Sequence, residues 1–254
     1  MIPADSSAMR IERVTMRYGR AAEPALDEVD LLVGEGEFVC LLGRSGCGKS
    51  TLLSLIAGLE PLTTGRIDLG GRRVGMMFQD SGLFPWLTVR GNIELALRLS
   101  GIPRARWPER VAELLDVVRL PGVANLRPHE LSGGMRQRVA LARTLAQECR
   151  VLLMDEPFAA LDAITRDAMH DEIERIAAAR ALTVVFVTHN VREAVRLGDR
   201  VVVMQPGPGR VASELVVDLP RPRRMDDPAI AARAALLRDR LDAQGVVERQ
   251  RVIV

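Results

Sequence analysis

The chain has 254 residues, 48% hydrophobic and 27% charged, with a formal net charge of +2. That length suits one large domain or two modest ones around a sizeable core, and so balanced a charge argues neither for nor against nucleic acid. No apolar run approaches the ~20 residues that cross a bilayer, and the opening MIPADSSAMRIER lacks the apolar stretch of a secretion signal, so a soluble, cytosolic chain is expected.

In chain order, the first strong element is the run Phe38-Val39-Cys40-Leu41-Leu42, a buried strand. It leads into Gly43-Arg44-Ser45-Gly46-Cys47-Gly48-Lys49-Ser50 and then the helical run Thr51-Leu52-Leu53-Ser54-Leu55-Ile56. A glycine-rich loop between strand and helix turns successive backbone N–H groups inward, and the helix N-terminus adds its positive dipole end. Lys49 can then neutralise the outer phosphates of a nucleotide, with the Ser50 hydroxyl placed to ligate Mg²⁺. Lys and Arg total 35 residues, yet Lys49 is the one lysine. A compact ammonium reaches between phosphates where a planar guanidinium fits badly.

Residues 87–149 read as helical, with no convincing strand. Val111, Leu114, Leu115 and Val118 recur at helical spacing after Pro108, a residue suited to a first helical turn. Leu131-Ser132-Gly133-Gly134-Met135-Arg136-Gln137-Arg138 follows, with Ser132 a good helix N-cap and Met135, Val139, Ala142 and Leu145 continuing the period. A Ser and two glycines at a helix N-terminus make a second anion site, and two such sites in one chain suggest two nucleotides or two chains.

Val151-Leu152-Leu153-Met154 is a buried strand that ends in Asp155-Glu156. Neighbouring residues at a strand end point in different directions, so Asp155 can hold Mg²⁺ through water while Glu156 polarises the attacking water as general base. A helix is predicted over 165–180. Val184-Val185-Phe186-Val187 and Val201-Val202-Val203-Met204 are further buried strands. Their continuous hydrophobicity predicts an α/β core of parallel strands covered on both faces. Residues 219–224 read as an exposed turn, and 227–241 as an amphipathic terminal helix. Cys40, Cys47 and Cys149 lack metal-ligand spacing and read as buried or incidental thiols in a reducing compartment. His129, in a loop, and His170, in a charged helix, are expected to be solvated.

A phosphate loop with an acidic strand end does not by itself separate a kinase, a GTPase and a transport ATPase. Leu131–Arg138 does: it closely resembles the signature of the ATP-binding-cassette (ABC) ATPases, over nearly the whole chain. The resemblance implies a P-loop NTPase (RecA-like) α/β core with an inserted α-helical subdomain and an antiparallel β region near the N-terminus. It divides one domain into a core of 1–86 and 150–218, helices of 87–149 and a tail of 219–254. It implies that Tyr18 stacks on adenine, with a packed core tyrosine as the alternative. It also implies that Gln79 contacts Mg²⁺ and the attacking water, that Asp162 lies in a loop crossing a dimer, and that His189 contacts the γ-phosphate. Residues Gly43 to Ser50 and Thr51 would bind ATP in one chain, and Ser132, Gly133 and Gly134 would complete the site of a partner. With one loop and one signature, a head-to-tail homodimer follows.

The stretch Asp80-Ser81-Gly82-Leu83-Phe84-Pro85-Trp86-Leu87-Thr88-Val89 falls where this family grips its permease. Its Phe-Pro-Trp is either an exposed apolar socket or a hinge between subdomains. Pro85–Val89, Pro157–Arg166 and Leu219–Arg223 resemble the nitrate/sulfonate/taurine importer ATPases, as does the lack of a long C-terminal regulatory domain. The expectation is therefore a peripheral subunit on the cytoplasmic face of the bacterial inner membrane. Its partners are a second copy, transmembrane permease subunits and, indirectly, a solute-binding protein, with no nucleic acid. The rival is a soluble ABC ATPase acting on DNA or another non-transport machine. Fewer than about 100 residues separate the loop from the signature, with no heptad run, which disfavours that rival.

Overall fold

The computed structural model describes residues 7–19 and 23–251, with side chains as far as residue 239. The first six residues of the stretch scanned for a secretion signal lie outside the described residues. The first segment of the chain carries β1 (Ser7–Met16), β2 (Leu26–Gly34), β3 (Phe38–Gly43), α1 (Lys49–Ile56) and β4 (Thr64–Asp68). The middle carries β5 (Val74–Met77), α2 (Val89–Leu99), α3 (Trp107–Val117), α4 (Gly133–Leu145), β6 (Val151–Asp155) and α5 (Ala163–Arg180). Then come β7 (Thr183–Thr188), α6 (Val191–Leu197), β8 (Arg200–Gln205), β9 (Arg210–Val216) and α7 (Pro228–Arg251). Two compact units result, Met1–Gly70 with Val185–Val254, and Gly71–Val184, the boundary falling inside β7.

In the first unit, β1 pairs antiparallel with β2 on one side and β4 on the other. Leu26, Val29, Leu31 and Val33 on β2 are buried, as expected of a sheet with one covered face. β3 is buried at all six positions and runs parallel to β8, from Val39 opposite Arg200 to Gly43 opposite Met204. The continuous apolar run of β3 thus forms the doubly covered parallel strand its sequence predicts. β9 adds an antiparallel strand against β8, and its mixed composition carries no clear strand signal.

The turn over 219–224 departs from expectation at one residue, Arg223. Arg223 is only 4% exposed. Its guanidinium donates to the carbonyls of Val195 at 3.0 Å, Arg196 at 3.3 Å and Gly198 at 2.5 Å, at the C-terminal end of α6. It also donates to Val217 at 3.1 Å and to Leu219 at 3.0 and 3.1 Å. The last carbonyls of a helix lack intrahelical partners, and the five donors of a guanidinium can serve several at once. Pro220, Arg221, Pro222 and Arg224 are exposed as expected of a turn, while Arg223 turns inward and clamps α6.

In the second unit, residues 87–149 hold α2, α3, α4 and two 3₁₀ turns, with no strand. Thr88 caps α2 by accepting the Gly91 N–H at 3.1 Å. α3 carries its proline in the first turn and buries Val111, Leu114, Leu115 and, at its C-cap, Val118, the residues picked out by periodicity. β5 pairs parallel with β6. α5 starts two residues earlier than predicted and buries Met169, His170, Ile173, Ile176 and Ala177 along one stripe. His170 is thus not solvated: it is 0% exposed, its ring edge-on to Phe158 at 5.7 Å between centroids. Of the charges around it, Glu172 is itself buried on the same stripe and Asp167 Oδ1 lies 3.6 Å from the imidazole Nδ1. His129 is exposed as expected.

All three cysteines are buried free thiols. Burial pushes the Cys149 thiol up to about 11 and raises Cys40 well above its ordinary value, which leaves both unreactive at neutral pH. No helix among the described residues is long and apolar enough to cross a membrane.

Candidate functional site

The loop from β3 to α1 is shaped by close approaches. A Cβ on Gly43 would lie 2.6 Å from both the Cys47 Sγ and the Met204 carbonyl oxygen, and one on Gly48 would lie 2.5 Å from Leu26 Cδ2. Gly48 also takes φ +90°, a conformation that side chains resist. Lys49 is 6% exposed, and its ammonium donates to the carbonyls of Gly43 at 2.8 Å and Arg44 at 3.0 Å, with Cys47 Sγ at 3.6 Å. The single lysine is therefore folded back over its own loop, while Arg44, Ser45, Gly46 and Ser50 are exposed at the rim.

The N-terminus of α1 is bare. Its N-cap Gly48 offers no side-chain hydrogen bond, and no acid lies in its first turn. By contrast Thr88, Ser132, Asp162 and Asn190 each cap the helix that follows them. First-turn N–H groups that no side chain among the described residues caps, beside a buried ammonium, have the chemistry of an anion site.

Two more predicted residues belong to this unit. Tyr18 is half-exposed, not a packed core residue, and its hydroxyl donates to Glu60 Oε2 at 2.6 Å. That hydrogen bond holds its phenol above the ordinary value; partial burial adds to the effect, and a hydrogen bond with Thr51, in the first turn of α1, offsets part of it. His189 is exposed just past the buried end of β7. Around it the Thr188 hydroxyl donates to the Glu193 carboxylate. The Asn190 N–H donates to Thr188 Oγ1 at 2.9 Å, and Asn190 Oδ1 accepts from the N–H groups of Arg192 and Glu193 at 3.0 and 3.3 Å. The histidine is thus carried on a braced strand-to-helix turn.

The second unit holds the other predicted residues. Asp155 ends β6, half-buried, and Glu156 follows with φ +45°. A left-handed non-glycine residue costs roughly 1–2 kcal/mol, and here it re-aims the chain directly after the strand. Arg166 holds the ensuing loop by donating to the carbonyls of Phe158 at 3.3 Å and Leu161 at 2.6 Å. Asp162 then caps α5: Oδ1 accepts the Thr165 N–H at 3.0 Å and Oδ2 accepts the Thr165 hydroxyl at 2.7 Å. Those hydrogen bonds, the backbone one first, hold its carboxyl below the ordinary value.

Ser132 Oγ accepts the Met135 N–H at 3.3 Å and so caps α4 as predicted. The structure brings this signature segment against the Asp162 turn, which the sequence could not show. A Cβ on Gly134 would lie 2.5 Å from Thr165 Cγ2, and one on Gly133 would lie 3.5 Å from Leu161 Cδ2. Gln79 is exposed just beyond β5, and its carbonyl accepts from Gln137 Nε2 at 2.8 Å. Trp86 is 68% exposed with its ring 5.4 Å from that of half-buried Phe84, so the Phe-Pro-Trp stretch is open at its tip.

Sequence reasoning missed Gln137, Arg143 and Asn92, which hold the segment between Gln79 and Thr88. Their one signal was polar side chains on otherwise apolar helix faces.

A buried parallel strand, a glycine-bounded turn, a bare helix N-terminus and a lysine folded over it define a P-loop NTPase. The family model for the ABC transporter matches residues 26–159. The chain is 48% identical over 212 residues to the taurine import ATP-binding protein of Rhizobium johnstonii, spanning 81% of this chain and 80% of that one. It is 46% identical over 208 residues to the nitrate import ATP-binding protein of a Synechocystis species, spanning 79% and 78%. Among solved structures, the dimeric structure of a bacterial ABC transporter cassette aligns with a TM-score of 0.73 at 32% identity, over 83% of this chain and 99% of that one. A dimeric post-hydrolysis state of an ATP-binding cassette, bound to ADP and Pi, aligns over the same shares with a TM-score of 0.72 at 32% identity. The chain belongs to the ABC transporter family, as an ATP-binding and ATP-hydrolysing cassette.

Proposed function

We propose that this cassette is the ATP-hydrolysing subunit of an importer for nitrate, taurine, another sulfonate or a similar small anion. The nucleotide role rests above all on the bare N-terminus of α1 beside the buried Lys49 ammonium. The import role is supported by likeness to proteins named for taurine, nitrate, aliphatic sulfonate and bicarbonate transport. The open Trp86 tip suits a permease contact. In this reading the cassette sits at the cytoplasmic face of the membrane on permease subunits served by a solute-binding protein. Two copies pair, as the dimeric cassettes it resembles suggest, and one loop and one signature per chain favour a head-to-tail arrangement.

The residues divide the work. The loop amides from Gly43 to Thr51 and the Lys49 ammonium bind the phosphates, and Tyr18 offers its exposed ring to adenine. Ser132, Gly133 and Gly134 bind the nucleotide of the partner copy, and Asp162 lies in the loop that meets that copy. Ser50, Asp155 and Gln79 are oxygen donors of the hard type that Mg²⁺ takes. Among the described residues no three His, Cys, Asp or Glu side chains gather to hold a metal by themselves. Ser50, Asp155 and Gln79 would hold the ion, which would supply charge neutralisation. Glu156 takes the proton of the attacking water, Gln79 orients that water, and His189 hydrogen-bonds the γ-phosphate.

The test is Glu156→Gln, which keeps shape and removes the base. ATP binding is retained, steady-state turnover falls roughly a hundredfold or more, and an ATP-bound dimer accumulates in size-exclusion chromatography. Unchanged turnover refutes the general-base role. Turnover stimulated by DNA, and not by a permease, refutes the import reading.

A further inference from the structure

The segment from Phe78 to Thr88 belongs to no helix or strand. Its backbone groups must find partners elsewhere, and the side chains of two helices supply them. From α4, Gln137 Nε2 donates to the Gln79 carbonyl at 2.8 Å. Arg143 on the same helix donates to the carbonyls of Ser81 at 2.9 Å and Gly82 at 2.6 Å. From α2, fully buried Asn92 takes both ends of Phe84, accepting its N–H at 2.8 Å and donating to its carbonyl at 3.2 Å.

Gln137 is the informative member. It is 5% exposed, and its Oε1 is buried with no hydrogen-bond partner among the described residues. Turning the amide over would set Oε1 against the Gln79 carbonyl, oxygen to oxygen, so the observed orientation is the one that makes a bond. Stability alone does not explain a glutamine here. Methionine fills a similar volume without stranding an oxygen in the interior. The Nε2 end of the amide has one defined partner, the main chain of a residue assigned to the reaction.

We propose that Gln137 is a positioning residue for Gln79. It ties the helix capped by Ser132 to the loop that aims the Gln79 side chain, and Arg143 secures the next turn of that loop. The inference rests on the role of Gln79 given above. Because the bond goes to main chain, it sets where Gln79 starts from and leaves its side chain exposed for the reaction.

The test uses the purified full chain with Gln137→Met, Gln137→Glu and, as a control on the underlying reading, Gln79→Ala. Gln137→Met keeps its thermal midpoint within about 3 °C and lowers kcat about five- to tenfold, with KM for ATP within about twofold. Gln137→Glu loses activity similarly at high pH. Its kcat relative to wild type recovers as pH falls, because a protonated carboxyl again donates to the Gln79 carbonyl; Gln137→Met shows no such recovery. A purely structural glutamine gives Gln137→Glu a kcat that falls and recovers only in step with its thermal midpoint across pH, because a buried carboxylate destabilises the fold until it is protonated. That result overturns the proposal even if Gln137→Met does not fold, whereas kcat that recovers at pH values where the midpoint is unchanged supports it. Unchanged kcat in both Gln137 variants overturns it as well. If Gln79→Ala leaves kcat intact, the role of Gln79 itself falls and the inference with it. If Gln79→Ala lowers kcat while the Gln137 variants do not, the positioning inference alone is lost.

Discussion

Gly134→Ala separates the packing role of the signature glycine from its proposed role in nucleotide binding. The added Cβ would lie 2.5 Å from Thr165 Cγ2. Thr165 cannot simply rotate away, because its hydroxyl donates to Asp162 Oδ2 at 2.7 Å and its N–H to Oδ1 at 3.0 Å. Overpacking of this kind costs about 1–3 kcal/mol, and alanine returns less than about 1 kcal/mol through helix propensity. The net loss of about 1–2 kcal/mol lowers the thermal midpoint by about 2–8 °C. Thr165→Ser removes Cγ2 while keeping the hydroxyl on Asp162, so the double variant regains most of that stability. ATP turnover stays low in the double variant if Gly134 must also leave room for a nucleotide on the partner copy. Thermal unfolding and steady-state hydrolysis, measured on both single variants and the double, decide the matter. Turnover that recovers in step with stability refutes the binding role and makes Gly134 a packing residue only.

Two further outcomes are expected. Trp86→Ala changes the thermal midpoint little, since the side chain is 68% exposed, and it lowers permease-stimulated hydrolysis more than basal hydrolysis; equal loss of both assigns the ring to the cassette's own chemistry. Arg223→Met leaves the C-terminal carbonyls of α6 without their donor and costs about 2–4 kcal/mol by chemical unfolding. Arg223→Lys rescues little because one ammonium cannot span the same fork of carbonyls; near-complete rescue by lysine refutes the clamp.

The elements around the nucleotide loop were legible because their chemistry is local. Phe38 to Leu42 is apolar at successive positions, and such a run has few alternatives to a doubly covered strand. Ser132 announced the helix start it caps, since an N-cap bond spans three residues of chain; the cap by Asp162 was not read from the sequence, and α5 was accordingly placed two residues late. α3 followed from the spacing of Val111, Leu114 and Leu115. β9 was not legible, because Arg210–Val216 alternates weakly and owes its strand state to pairing with β8.

Buried polar side chains were the systematic exception. His170 and Arg223 look solvent-bound in sequence, since charged and polar neighbours surround them. His170 lies on the apolar stripe of α5 beside Phe158, and Arg223 meets five carbonyl oxygens from α6 and the chain just before it. Whether such a group is buried depends on which distant acceptors face it, and composition does not carry that information.

The sequence by itself determined that a glycine-rich loop, Gly43 to Ser50, joins a buried strand to a helix, that carboxylates end a second buried strand, and that a second capped helix start bears the ABC signature. Those features are written in residues a few positions apart, where backbone geometry alone relates them. Only the tertiary structure decided that Gly134 abuts Thr165, that Gln137 holds the main chain of Gln79, and that Arg223 clamps α6. Each is a contact between segments far apart in the chain, made when burying the apolar faces of the helices brings their remaining polar groups within reach of one another.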